Sequence, residues 1–305
     1  MSAAGVLAPE SAEDSHFCAK THAAVIAFQD AHGLAVTGDV DEHMWSALIE
    51  SSWSLGTRLL YFRSPNIRGD DVADLQTQLN RMGFDCGRVD GIYGTKAVLA
   101  ITDFQINLGL EGNGICSPEL LLLVQSMGTH SGTGPGVAVI RESVGLARLD
   151  SRNEARIVVG LFNGAEPLAH AIAHRLQVSH PLTITVNSDT SAQAQAANQF
   201  IADIYIGVEP STDAGCTIQF YEVPTFVSVG GRNLAARITA AVSARIPELT
   251  IRIQGSRHPL LRETQMTAVL CCVGPDEIVS LKINALSTAL CDAVDAWRAD
   301  PLTEL

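Results

Sequence analysis

Between Arg68 and Phe84 the apolar positions Val72, Leu75 and Leu79 recur every three to four residues, behind two aspartates and ahead of a glycine. That spacing predicts a helix capped by Asp70 or Asp71 and closed at Gly83. A glycine-rich turn, "DCGRVDGIYG", follows, and then a second helix from Thr95 to Asn107 with Val98, Ile101 and Phe104 on its inner face. "SPELL" opens a third, with Ser117 as its cap and Pro118 in its first turn. Beyond Arg156 the texture changes. Short runs rich in β-branched residues, "RIVVGLF", "LTITVN", "ADIYIGV", "CTIQFYEV", "LTIRI" and "TAVLCCV", read as six strands. They alternate with helical stretches at "EPLAHAIAHRLQ", "SAQAQAANQFIA" and "GGRNLAARITAAVSARI", and a last helix spans Asp276 to Trp297. Small helical bundles ahead of a six-stranded α/β domain covered on both faces is the expected fold.

The helical part is written twice. Asp14, Phe17, Lys20, Phe28 and Gln29 recur as Asp90, Tyr93, Lys96, Phe104 and Gln105, and Gly33, Leu34 and Gly38 as Gly109, Leu110 and Gly114. Every pair is 76 residues apart, so one structural unit is used twice. Subtracting the offset sets the first copy's leading helix before residue 1, so that this repeat is expected to be incomplete or to start upstream, and to serve structurally. The phenylalanines, leucines and glycines of the motif read as fold maintenance. Arg88, Asp90 and Tyr93, on the turn of the second copy, are the candidate ligand-binding residues.

Composition narrows the class. Hydrophobic residues make up 47% of the 305 residues and charged ones 17%, which is globular. A net charge of −13 disfavours a nucleic-acid partner or an anionic membrane. The first fifteen residues lack the basic and apolar regions of a secretory signal, and no apolar run approaches the about 18 residues of a membrane span. Seven cysteines without paired spacing suit a reducing compartment. The expectation is a cytoplasmic protein. "SMGTHSGTGPG", Ser126 to Gly136, reads as a flexible linker, which places an incomplete repeat at 1–55, a full repeat at 56–127, a linker at 128–154 and the α/β domain at 155–300.

Helix, "DGIYG" turn, Phe-Gln helix and "GLxxxGI" together resemble the peptidoglycan-binding domain of bacterial wall hydrolases, through Leu75, Gly83, Asp90, Gly91, Gly94, Phe104, Gln105, Gly109 and Gly114. The first copy departs from the pattern at two loop glycines, which are Ser15 and Cys18 here. The α/β part, through "ANQFIADIYIGV", "GGRNLAARI" and "TAVLCCVG", resembles the zinc N-acetylmuramoyl-L-alanine amidase domain. That resemblance implies a His, Glu, His ligand set and a catalytic glutamate. The matching positions carry Asn163, Glu166 and Glu209, with Cys272 at the catalytic glutamate, so the resemblance implies neither a metal site nor a catalytic set. Outside the resemblance, His170 and His174 share a helix face without a third ligand, and Gly230-Gly231 at a helix start could present N–H groups to an anion.

The whole arrangement resembles an actinobacterial family with tandem peptidoglycan-binding modules and a degenerate amidase domain. Such a resemblance implies a non-catalytic regulator of peptidoglycan precursor synthesis that needs no cofactor. Its implied partners are peptidoglycan or its precursors, the enolpyruvyl transferase of precursor synthesis, and the lipid II export machinery. The family's control through a phosphorylated threonine in a C-terminal tail has only Thr303 to act on in "ADPLTEL". The competing expectation is a working amidase that uses zinc.

Overall fold

The computed structural model describes residues 17–34, 36–128, 136–149 and 154–302. The chain divides into two compact units, Met1–Arg141 and Glu142–Leu305.

The first unit is helical. Its first repeat contributes α1 (Ala19–Ala31) and α2 (Glu42–Ser51), closed over Val25, Phe28, Met44 and Leu48. Residues 1–16, ahead of α1, lie outside the described residues. The second repeat contributes α3 (Asp70–Arg81), α4 (Thr95–Asn107) and α5 (Pro118–Gly128) around Val72, Leu75, Leu79, Ile101 and Phe104. The helices anticipated there are present, and α4 has the expected bounds.

Three copies of one polar clamp fix the turns of this unit. Gln105 Nε2 donates to Asn113 Oδ1 at 2.8 Å and to the Ile115 carbonyl at 3.1 Å, while Gly114 N donates back to Gln105 Oε1 at 2.9 Å. Gln29 holds Thr37, Asp39 and Gly38 in the same way. Gln76 does so for Asp90, Ile92 and Gly91. The glycine of each trio, Gly38, Gly91 or Gly114, has φ between 66° and 76°, a left-handed conformation that favours glycine. Each glutamine is buried, so its amide is matched by backbone partners that would otherwise lack them. The Phe-Gln and glycine pattern repeated in the sequence is thus structural.

The stretch expected to be a linker contains a helix, α6 (Val137–Leu149), and the division between the units falls after its Arg141. Residues 129–135 and 150–153 lie outside the described ones.

In the second unit β1 (Ile157–Leu161), α7 (Glu166–Ser179), β2 (Thr183–Asn187), α8 (Thr190–Gln199) and β3 (Ile204–Pro210) come first. They are followed by β4 (Gly215–Val223), β5 (Phe226–Val227), α9 (Val229–Arg245), β6 (Ile251–Ser256), α10 (Pro259–Glu263), β7 (Thr267–Gly274) and α11 (Asp276–Ala299). The sheet order is β2-β1-β3-β7-β4-β5, with β6 also paired to β4. The six anticipated strands are present, and the two-residue β5 is added by the hairpin after β4. β2, β1, β3 and β7 are mutually parallel, whereas β4 runs antiparallel to β7 and carries β6 parallel to itself.

Side-chain parity separates the two faces. Ile157, Val159, Ile204, Ile206, Val208, Val269, Cys271, Ile218 and Phe220 enter one core with apolar residues of α7, α9 and α11. On the other face the Tyr205 hydroxyl donates to Gln193 Oε1 of α8 at 2.6 Å. β1 is buried along its whole length and β3 through Val208, as central parallel strands are. β4 alternates buried with partly exposed positions, so at β4 the sheet is not covered on both faces, against the expectation. Among the described residues no helix is long and apolar enough to cross a membrane.

Candidate functional site

Parallel strands end together, and the turns beyond their C-terminal ends are where open α/β sheets place ligands. Here β1, β3 and β7 bring the sequence-predicted positions to that edge. Asn163 is exposed on the turn after β1, and Glu166 begins α7. The Glu166 carboxylate folds back to accept from Gly164 N at 2.8 Å. Gly164, at φ +93°, lies against Pro210 at the end of β3, where an added Cβ would stand 3.4 Å from the proline ring.

Glu209 on β3 pairs in register with Cys272 on β7, and the Cys272 thiol donates to Glu209 Oε2 at 3.6 Å. Burial, and then the Glu209 carboxylate, push the Cys272 thiol far above its ordinary range. Cys272 is half-buried at the sheet edge rather than fully inside. Its neighbour Cys271 is fully buried on the opposite face, so the two cannot chelate one ion together. The register continues from Cys272 to Thr217 on β4 and from Thr217 to Arg252 on β6. Glu209, Cys272, Thr217 and Arg252 therefore form one row on one face. Thr217 and Arg252 were missed from the sequence because strand order is not written in it.

Would zinc fit here? A structural or catalytic zinc site takes three or four nitrogen, sulfur or carboxylate ligands in tetrahedral array. Of the donors at this edge, Glu166 is turned to a backbone amide, and Glu209 accepts from the Cys272 thiol. Among the described residues no three His, Cys, Asp or Glu side chains are grouped to hold a metal. The residues present do not fit the ion. His170 and His174 are both exposed on α7 and take part in no such group.

The Gly230-Gly231 segment, considered as an anion site, is already satisfied from within. Ser228 Oγ accepts from Gly231 N at 3.2 Å and donates to Glu142 Oε1 of α6 at 2.7 Å. Gly230 N donates to the same Glu142 oxygen at 3.3 Å.

In the second repeat, one of the three ligand candidates has to be withdrawn. Tyr93 is fully buried, and its hydroxyl donates to the Gly114 carbonyl at 3.0 Å. A turn rich in glycine and aspartate reads as surface, but this aromatic ring points down into the helical core. Asp90 is half-buried, and its carboxylate accepts from Gln76 Nε2 and from Ile92 N, so it is engaged in the turn. Arg88 is half-buried on the same turn. The three are neighbours in sequence without forming one surface.

Comparison with known proteins agrees with both halves. The family model PG_binding_1, a peptidoglycan binding domain, matches residues 2–48 and 68–122. The N-acetylmuramoyl-L-alanine amidase CwlM of Mycobacterium tuberculosis is 32% identical over 291 residues, covering 85% of this chain and 71% of that protein. A spore cortex-lytic enzyme of Halalkalibacterium halodurans is 36% identical over 52 residues, covering 17% of this chain and 16% of its own length. Among solved structures, an N-acetylmuramoyl-L-alanine amidase from Clostridium difficile 630 superposes with a TM-score of 0.41 at 14% identity, covering 49% of this chain and 99% of that one.

Proposed function

Because the chain belongs to the family of the N-acetylmuramoyl-L-alanine amidase CwlM, with a peptidoglycan-binding region ahead of an amidase-like α/β domain, we propose that it is a non-catalytic regulator of peptidoglycan precursor synthesis. The observation that carries this reading is the Glu209–Cys272 contact. Where the amidase resemblance puts a metal ligand and a general base, a carboxylate accepts from a thiol. A thiol whose proton is given to a carboxylate does not take one from water as a general base would. The α/β domain keeps a continuous core under this edge, so what it retains is a shape and a surface.

That surface is acidic at Glu166 and Glu209, which favours a basic patch on a protein over the anionic precursors. The enolpyruvyl transferase of precursor synthesis and the lipid II export machinery are the proposed partners, on the cytoplasmic side. Seven cysteines, all free, support a reducing compartment.

Two measurements on the purified full chain test the reading together. Metal analysis should find no stoichiometric zinc, and digestion of purified muropeptides should leave the bond between muramic acid and L-alanine intact. About one tightly held zinc per chain, with hydrolysis lost on chelation, would overturn it in favour of a working amidase. Docking has its own test: Glu209→Lys should weaken binding to the transferase, more so at low salt. Unaltered binding would move the docking surface elsewhere.

A further inference from the structure

Because one unit is written twice, each position of the first repeat has a counterpart 76 residues on against which its burial can be judged. Val25, Phe28, Met44 and Leu48 are buried, and so are their counterparts Ile101, Phe104, Leu120 and Val124. Three other apolar positions differ sharply. Tyr93, Cys116 and Leu121 are exposed by 0%, 2% and 5% in the second repeat, whereas Phe17, Val40 and Trp45 are exposed by 58%, 41% and 55% in the first.

The second repeat shows what covers them. Tyr93, Cys116 and Leu121 share one core with Val72, Leu75 and Leu79 of α3 and with Leu60, whose backbone exchanges hydrogen bonds of 3.2 and 2.8 Å with Cys116. Among the described residues the first repeat has no counterpart of α3. Its cleft is nonetheless built. α1 and α2 close over their own core beneath it, and Gln29 fixes Gly38 and Asp39 just ahead of Val40. Such a seat takes one amphipathic helix with large apolar residues at i, i+3 and i+7, the spacing of Val72, Leu75 and Leu79.

Charge decides which helix fits. From Phe17 to Ser51 the chain has one lysine and no arginine against five acidic residues, Asp30, Asp39, Asp41, Glu42 and Glu50. Three of them rim the cleft: Asp39 and Asp41 flank Val40, Glu42 lies one turn before Trp45 on α2, and all three are exposed. Like charge opposes the alternatives within this chain. Residues 1–16 carry Glu10, Glu13 and Asp14 without a lysine or arginine, α3 of a second copy would bring Asp70, Asp71 and Asp74, and a second first repeat would bring the same acidic rim. We propose that the first repeat is a docking cleft for a basic amphipathic helix of a partner protein, with Trp45 as its anchor. The cleft lies wholly in the first unit and does not depend on whether the α/β edge holds zinc.

Fluorescence polarisation of a labelled peptide against the full chain tests it. The probe has the length of α3, 12 residues, with leucine at i, i+3 and i+7 and lysine on its other face. Trp45→Ala should weaken binding about tenfold or more, as loss of a central aromatic anchor does, with the melting temperature unchanged because the ring is exposed. Glu42→Lys should weaken it about threefold at low salt and little at high salt. The same peptide with glutamate for lysine should bind about tenfold more weakly. No binding of the lysine peptide, equal binding by Trp45→Ala, or equal binding of the glutamate peptide would overturn the proposal. Sedimentation equilibrium examines the second copy: a dimer that Trp45→Ala dissolves would make the cleft a self-contact and sink the partner helix. Acrylamide quenching examines the chain itself, with the Trp45 signal taken as the difference between wild type and Trp45→Phe. Free quenching without peptide and protection with it are expected; a Trp45 already shielded in the monomer would mean that this chain fills its own cleft, and the proposal would fall.

Discussion

At the scale of single residues, the most consequential side chains are amides. Gln29, Gln76 and Gln105 each supply two donors and one acceptor to a turn whose glycine cannot be replaced without strain. Removing such a side chain leaves a buried N–H and a carbonyl without partners. Gln105→Ala should therefore cost about 1–3 kcal/mol in urea unfolding of the first unit, and Gln76→Ala a similar amount. A loss near zero would mean that water replaces the amide. Gly160 offers a second check. A Cβ there would stand 1.7 Å from the Tyr205 hydroxyl and 2.4 Å from Gln193 Oε1, so Gly160→Ala must break that buried hydrogen bond or move the strand. We expect a destabilisation of about 1–3 kcal/mol, measured by thermal or urea melts. Residues of this kind were half legible. The repeated Phe-Gln and the glycines stood out as a pattern, but their role needed the turn geometry. Tyr93 looked like a surface residue because it sits in a polar turn; only the packing of α3 to α5 shows that its ring lies inside.

At the scale of elements, periodicity served where an element has one buried side. α4 has the bounds its apolar spacing predicts, and the six longer strands were marked by β-branched runs. β5 escaped because two residues make no period. α6 escaped because the glycines before it suggested a linker, although Ala138 and Leu146 within it are buried. Sheet order was not readable at all, and with it the row from Glu209 to Arg252, since no local signal says which strand lies beside which. α6 also carries a testable contact. Glu142 accepts from Ser228 Oγ and Gly230 N at the first turn of α9, a 17-residue helix whose N-terminus attracts negative charge. Gly230 has no room for a Cβ, which would stand 2.4 Å from Thr267 Oγ1 and 3.1 Å from Leu146. Glu142→Ala should speed hydrogen exchange in the first turn of α9 and cost about 1 kcal/mol, while exchange in β1 and β3 stays protected. Unaltered exchange at Gly230 and Gly231 would show that Ser228 alone suffices as a cap.

At the scale of the whole molecule, the free thiols set a pH limit. Burial raises Cys86, Cys271 and Cys272 far above the ordinary 9.0 of a thiol, and takes Cys116, Cys216 and Cys291 to about 12. Tyr93 and Tyr205 are raised in the same way from 10.0. For each group the folded state holds the proton more tightly than the unfolded chain. Below pH 9 both states are protonated and the contribution to stability is fully present. Above it the unfolded chain sheds protons that the folded one keeps, so stability falls with rising pH, by up to about 1.4 kcal/mol per pH unit for a thiol as buried as Cys271. The raised thiols are shared between the units: Cys86 and Cys116 lie in the first, the other four in the second. Both unfolding transitions should therefore be flat up to about pH 9 and drop steeply beyond it, which denaturant melts across pH 7 to 11 would show. Cys18 behaves oppositely: it is exposed, and hydrogen bonds from Thr21 hold its thiol below the ordinary value. In native protein at pH 8 a thiol reagent should reach Cys18 first and Cys271 only on unfolding. Rapid modification of all seven cysteines in the native state would mean that both cores open readily, and the alkaline transition would then lose its explanation.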